Sequence, residues 1–408
     1  MRILFLTDAF LPHAGGARVY YYNLLRGMQS NLSNEITILT KKVPGWKEFD
    51  KRESHPRFRI IRAGRPLPNW RYQQWPKIAV PLLRTSALLM SERYDLIHFG
   101  DLYPQGVLSL FFKNLIGKPY VAYCHGEEIT QTDGRRYQPK VRNAIYQHAQ
   151  TVIAANEFAR QNLLRIGIPE ARIRKITPGV DCSRFRRSKL REDLVKRYGL
   201  QDKFVLLTVA RLVHRKGHQL VLQALKTLLP KMPNLAYVIV GTGPDESKLR
   251  QMVAELGLTE VVHFAGFVND DELPDYYNLA DVYVMPNSED KGDVEGFGMV
   301  FLEANACGKA VVGGRSGGTR EAVLEGETGM LVDPYDPAEL VEALKLLRDN
   351  AMLRKRLGEN GLRRATSDFS WEARAQLLDS VNREILSNTL RNRTCECAPS
   401  ENEVRRRT

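Results

Sequence analysis

The sequence predicts an α/β protein built as two doubly wound domains that face each other across a cleft, and three observations predict it. Apolar runs of four to seven residues alternate with amphipathic stretches of ten to sixteen along most of the chain, the pattern of βαβ units feeding a parallel sheet. At 408 residues the chain is too long for one ordinary core, and the alternation falls into two series of similar size. Pro178 and Gly179, in TPGVDCSRF (177–185), stop the first series close to where the second begins.

In the first domain, 1–183, strands are expected at 2–7, 35–40, 58–62, 95–99, 119–124, 151–155 and 173–177, with helices near 17–30, 105–116, 140–149 and 157–166. The second domain, 184–368, opens with a basic, proline-free segment (184–202). Its strands are expected at 204–209, 236–240, 261–265, 282–285, 310–313 and 329–332. Helices follow near 217–229, 245–256, 270–280, 297–306, 319–324 and 336–348, and two further helical patterns cover 350–366 and 371–386. The polar composition of 389–408 predicts a disordered tail.

Composition removes several function classes. No run of about 18 apolar residues is present to span a membrane. MRILFLTDAF has one basic residue and a short apolar run ended by Asp8, which reads as a first strand of a cytoplasmic protein, not as a signal peptide. The five cysteines form neither a disulfide framework nor a zinc-ligand pattern. Sixty Lys and Arg against 47 Asp and Glu give +13, an attraction to something anionic. Part of that charge lies in 41–77 with Trp46, Trp70 and Trp75, which suits peripheral contact with an anionic membrane surface. The alternative is a solvated loop whose tryptophans pack on their own domain. No nucleic-acid module interleaves the basic residues.

Open α/β sheets bind ligands beyond the carboxyl ends of their strands, so chemistry is sought in the loops after strands. Gly15 and Gly16 precede the first helix, where free N–H groups and the helix dipole would receive a phosphate; alone, such a pair is more often simple turn punctuation. In ARLVHRKGHQ, Arg211 and Lys216 stand five apart and suit two oxygens of a diphosphate, the first as a fork and the second as a point charge. The stretch DVEGFGMVFLEANACGK (293–309) is the most informative. Gly296 and Gly298 bracket Phe297 at a helix start, offering backbone amides to a phosphate, with Glu295 just outside. Glu303 lies roughly 9 Å up the axis at 1.5 Å per residue. Carboxylates beside an anion make sense if they accept hydrogen bonds from hydroxyls while Arg211 and Lys216 neutralise the charge, the pattern of a nucleoside diphosphate sugar. Backbone groups around Val268 could read a base edge, the turn at 240–244 could admit the ligand, Gly317 and Gly318 in 313–323 precede a further helix, and His125 could contact the sugar or be a structural histidine.

There is no P-loop, no G-x-G-x-x-G after the first strand, no H-E-x-x-H and no Cys/His ligand set, so neither metal nor redox cofactor is expected. At these residues the sequence resembles the retaining glycosyltransferases of family four, which have the GT-B fold of two Rossmann-like domains. The resemblance runs from residue 1 to about 388. It rests most specifically on the E-x7-E motif Glu295–Glu303, with the Arg211/Lys216 loop, Gly15–Gly16, the HG pair at 125 and GTGP at 241 in the family's order. It implies that a helix over 369–388 crosses back to the first domain. It also implies that Glu295 binds donor-sugar hydroxyls, Glu303 the ribose, Arg211, Lys216 and the Gly16 amide the diphosphate, and His125 the sugar near its anomeric carbon. The expected activity is metal-independent transfer of a hexosyl unit from a nucleotide sugar to a lipid-linked, saccharide or small-molecule acceptor, in glycolipid, polysaccharide or lipopolysaccharide synthesis. Rival readings are a sugar phosphorylase or epimerase of the same fold, and a non-catalytic binder of nucleotide or anionic lipid.

Overall fold

The computed structural model describes residues 1–8, 10–12, 15–63, 75–110, 119–130, 138–290 and 294–396. The first domain holds β1 (Arg2–Leu6), β2 (Glu35–Thr40), β3 (Phe58–Arg62), β4 (Leu96–Phe99), β5 (Tyr120–Cys124), β6 (Thr151–Ala154) and β7 (Ile173–Lys175). They form one parallel sheet in the order β3-β2-β1-β4-β5-β6-β7. The second holds β8 (Phe204–Val209), β9 (Leu235–Val240), β10 (Val262–Gly266), β11 (Val282–Met285), β12 (Ala310–Gly314) and β13 (Gly329–Val332), parallel in the order β10-β9-β8-β11-β12-β13. Each sheet is covered on both faces, so its central strands read as unbroken apolar runs. The thirteen strands begin and end within two residues of the expected positions.

Strand order reverses between β1 and β4 in one sheet and between β8 and β11 in the other. At such a switch point adjacent loops leave in opposite directions and open a crevice. The loops after β1 and β8 therefore belong to the two crevices.

The C-terminal helix, Trp371–Glu396, returns to the first domain and packs along the first helix, Gly16–Leu32. Asn34 Nδ2 donates to Asp379 Oδ1 at 2.8 Å and Arg174 pairs with Glu384 at 3.0 Å. The helix runs to Glu396, past the end expected near 388, because no Gly or Pro interrupts 371–396. Residues 397–408, the rest of the expected disordered tail, lie outside the described residues.

Four helices were not legible: Trp46–Glu53, Trp75–Ser91, Glu127–Thr130 and Glu192–Arg197. Trp46–Glu53 is charged almost throughout and buries only Phe49 and Glu53, too little for a periodic signal. Trp75–Ser91 begins inside the basic aromatic segment, and Trp70 lies outside the described residues. Four of the eight Lys and Arg side chains in 41–63 pair with carboxylates. Arg62, with a side chain 1% exposed, pairs with Asp50, while Lys41 pairs with Asp8, Arg52 with Glu53 and Arg59 with Glu92.

Candidate active site

The second domain contributes the cations. After β8 the chain makes a tight turn at His214–Lys216 and enters the helix His218–Leu228. Its backbone is fixed by neighbouring loops: Leu212 N–H donates to Thr242 O at 3.0 Å, Asp245 N–H to Leu212 O at 3.1 Å, and Ser288 N–H to Arg215 O at 2.8 Å. The turn at 241–245 thus shapes the 211–217 loop. Arg211 stands exposed with no side-chain partner among the described residues. Lys216 Nζ and Arg215 Nη1 both donate to Glu295 Oε2, the latter at 3.0 Å. Burial alone would push the Glu295 carboxyl up, but Lys216 and then Arg215 outweigh it and hold it below the usual carboxylate range.

Glu295 stands at the mouth of a helix start that nothing caps. Gly298 takes φ 84°, a left-handed conformation that favours glycine, and the helix Met299–Ala306 begins one residue later with no capping side chain. The expected start at 297 is therefore displaced to 299. Among the described residues, the N–H groups of Gly296, Phe297, Gly298, Met299 and Val300 donate no hydrogen bond. The turn is braced from behind, where Gly318 N–H donates to Glu295 O at 2.8 Å. A Cβ on Gly318 would come within 2.0 Å of Gly296 O, so this contact needs glycine, and Gly317–Gly318 serve packing.

At the other end of the motif, Glu303 is half-buried and accepts a hydrogen bond from Tyr277 Oη at 2.6 Å. Burial raises its pKa against the opposing effects of Tyr277 and Arg184, and Asp270, in the loop after β10, adds to the rise. That loop carries Val268, whose side chain is buried and whose backbone N–H and C=O have no partner among the described residues.

The first domain supplies the opposing wall. The first helix also starts without a capping side chain, and Gly16 and Ala17 N–H donate no hydrogen bond among the described residues. A Cβ on Gly16 would lie 3.7 Å from Met299 Cε, so the two open helix starts face each other across the cleft. His125 follows β5. Its Nε2 lies 2.7 Å from Tyr21 Oη, its ring stands edge-on to Tyr20 and Tyr21 at 5.5 and 5.4 Å between centroids, and its N–H donates to Glu128 Oε2 at 3.0 Å. Burial raises the Glu128 carboxyl above its ordinary value despite the N–H groups it accepts. Asn156 joins the two walls: its Oδ1 caps the helix Glu157–Arg165 and its Nδ2 donates to His125 O at 3.1 Å. That Nδ2 lies 3.5 Å from where a Gly296 Cβ would stand. Beside it, Glu321 of the second domain accepts from Glu157 N–H and from Lys175 at 3.1 Å.

Short contacts therefore link His125, Gly16, Lys216, Glu295 and the turn at 296–300, while Glu303 lies further along the helix that follows, with Asp270 of the Val268 loop acting on it. Arg211 lies on the same loop as Lys216 without touching Glu295. The sequence reading gave Arg215 no role, yet it is 8% exposed and grips Glu295. It also passed over Asn156 and Tyr21, although an Asn immediately before a helix is a recognisable cap. The arrangement can accept a doubly charged anion on open amides, Lys216 and Arg211, with hydroxyl-accepting carboxylates on either side. Among the described residues no three His, Cys, Asp or Glu side chains gather as a metal site.

Residues 14–184 match the family model described as Glycosyltransferase Family 4, and residues 191–364 the one described as Glycosyl transferases group 1. The chain is 31% identical over 386 aligned residues, covering 92% of it and 97% of the relative, to GDP-mannose-dependent alpha-(1-6)-phosphatidylinositol monomannoside mannosyltransferase of Mycolicibacterium smegmatis. To D-inositol 3-phosphate glycosyltransferase of Thermobispora bispora it is 29% identical over 409 aligned residues, 93% of this chain and 92% of that one. Among solved structures it is similar to sucrose-phosphate synthase from Thermosynechococcus elongatus (TM-score 0.78, 24% identity, 95% and 99% covered). It is also similar to Anabaena HepE in complex with UDP (TM-score 0.77, 21% identity, 94% and 100% covered). At these identities the structural likeness is one of fold.

Proposed function

Since the chain belongs to the family-four glycosyltransferases, within the glycosyl transferases group 1, we propose that its cleft transfers a hexosyl unit from a nucleoside diphosphate sugar to an acceptor hydroxyl with retention at the anomeric carbon. The observation that carries this reading is the pair of facing helix starts with open amides, flanked by Lys216 and Arg211 and bordered by Glu295 and Glu303. The diphosphate lies at the amides of Gly16 and 296–300. Lys216 and Arg211 neutralise it, Glu295 and His125 hold the sugar, Glu303 holds the ribose, and the Val268 backbone meets the base.

In the reaction the bond from C1 to the diphosphate oxygen breaks while the acceptor oxygen bonds C1 on the same face. The acceptor's proton passes to an oxygen of the leaving phosphate, so no protein nucleophile is required. Charge growing on the departing diphosphate is stabilised by prearranged cations and amide dipoles in a cleft that excludes water. Glu295 stays ionised because two cations face it, which makes it an acceptor of sugar hydroxyls at neutral pH.

GDP-mannose as donor is supported by one relative, named for GDP-mannose and a phosphatidylinositol mannoside, and an inositol-bearing acceptor by both, the other being named for inositol 3-phosphate. No helix among the described residues is long and apolar enough to cross a membrane. A peripheral site on the cytoplasmic membrane face is supported by two surfaces. Lys42, Lys47, Lys51 and Arg57 have no carboxylate partner among the described residues. Leu83 and Met90, seven apart on one helix face, are 70% and 87% exposed.

The test is a thermal-shift panel of nucleotide sugars followed by transfer to phosphatidylinositol mannosides. A ligand that binds only the native state raises its apparent stability. GDP-mannose should stabilise most and support transfer. Failure of every GDP and UDP compound to stabilise the protein defeats the reading. Leu83→Glu with Met90→Glu should abolish sedimentation with anionic vesicles at low salt, and retained sedimentation removes the membrane assignment.

A further inference from the structure

Tyr21 lies between two groups that compete for one hydrogen. Its hydroxyl touches the Gly100 carbonyl oxygen and also lies 2.7 Å from His125 Nε2. A carbonyl oxygen can only accept, so the single phenolic hydrogen goes to Gly100, and the contact to His125 is a hydrogen bond only if the imidazole donates from Nε2. In the neutral ring that assignment puts the proton on Nε2 and leaves Nδ1 as the acceptor. The phenol holds its proton firmly, because burial and then the nearby Asp101 and Glu128 carboxyls disfavour its anion. Its ring is fixed among Phe5 and Tyr123, 5.0 and 5.3 Å away between centroids.

On the reading that His125 contacts the sugar, we propose that Tyr21 is a positioning residue that locks His125 as the Nε2–H tautomer and fixes the plane of its ring against the sugar. Among the described residues, Asp101 from the loop after β4, Glu128 on its own loop, and the phenols of Tyr20 and Tyr21 on the first helix are charged or titratable groups beside the imidazole. The Asp101 carboxyl is raised by burial, less the help of Thr7 and the Asp8 N–H, and His125 acts to lower it.

The test combines nitrogen NMR of histidine-labelled protein, with the His125 signal assigned through His125→Gln, and kinetics of Tyr21→Phe. Tyr21→Phe keeps the ring packing, and unchanged melting temperature and nucleotide affinity show that the fold and the second domain are intact. The wild-type His125 should carry its proton on Nε2, and Tyr21→Phe should show mixed tautomers. In that variant kcat should fall about tenfold or more, as when the partner that orients a histidine is removed, with nucleotide affinity unchanged. The acid limb of its pH profile should move to lower pH, because the imidazolium loses an acceptor. A wild-type proton on Nδ1 overturns the proposal, as does Tyr21→Phe with wild-type kcat and pH profile while His125→Ala is inactive. If His125→Ala keeps full transfer, the placement of His125 at the sugar fails instead, and the NMR result still decides the tautomer.

Discussion

Glu295 and Glu303 are the same residue type, eight positions apart on one motif, and the fold drives them in opposite directions. Burial penalises both anions. Glu295 faces Lys216 and Arg215 and is held below its ordinary value, whereas Glu303 has the Tyr277 hydroxyl, a more distant Arg184 and an unfavourable Asp270, and rises above it. One end of the groove is thus built as an ion cluster and the other as a polar pocket around a carboxyl that is costly to ionise. The difference suits a ligand whose phosphates lie nearer Glu295 and whose ribose hydroxyls lie nearer Glu303.

The comparison breaks most sharply at the cations. Arg211→Ala or Lys216→Ala should each lower kcat/KM by about 10²- to 10³-fold, the loss typical of removing one donor to a developing oxyanion. Steady-state kinetics with the donor identified by the panel checks this, and full activity in both variants would overturn the phosphate assignment. Arg215→Met keeps much of the side-chain volume but leaves Glu295 with Lys216 alone. It should cost about 1.5–3 kcal/mol of transition-state stabilisation, the range for a hydrogen bond to a charged group. Because Lys216 must then serve both Glu295 and the phosphate, the loss should appear in kcat more than in nucleotide affinity, and equal losses in both would place Arg215 on the nucleotide.

The smallest effect sharpens the other end. Glu303 has a raised folded pKa, so the folded state holds its proton more tightly than the unfolded chain does. Stability is then lost as pH rises from the ordinary carboxylate value of about 4.3 through the raised one, and is flat above it. Glu303→Gln should remove that fall, read as a shallower change in melting temperature across the acid range. Glu295 has the opposite sign: its contribution is present at neutral pH and is lost as pH falls below the ordinary value. A Glu303→Gln profile parallel to wild type would contradict the contrast.

Much of this was legible beforehand. Val282–Met285 and Phe204–Val209 were read with their observed bounds, because a strand buried on both faces leaves a continuous apolar run. Glycines at 296 and 298 disclosed an open helix start, since few other reasons place them before such an apolar helix. The helix Trp46–Glu53 escaped because it buries two side chains, and the end of the C-terminal helix escaped because polar helix formers look alike in a tail and in a solvent-facing helix.

The sequence by itself determined the thirteen strands, the turns that follow them and the residue types at their ends, because propensity and periodicity act over a few neighbours. Only the tertiary structure decided that Arg215 joins Lys216 on Glu295, that Asn156 links His125 to the turn at Gly296, and that Tyr21 meets an imidazole 104 positions away. Those partners are chosen by sheet order and domain contact. The pKa of each carboxylate follows from the charges that such packing places beside it, and nothing in the local sequence encodes that distance.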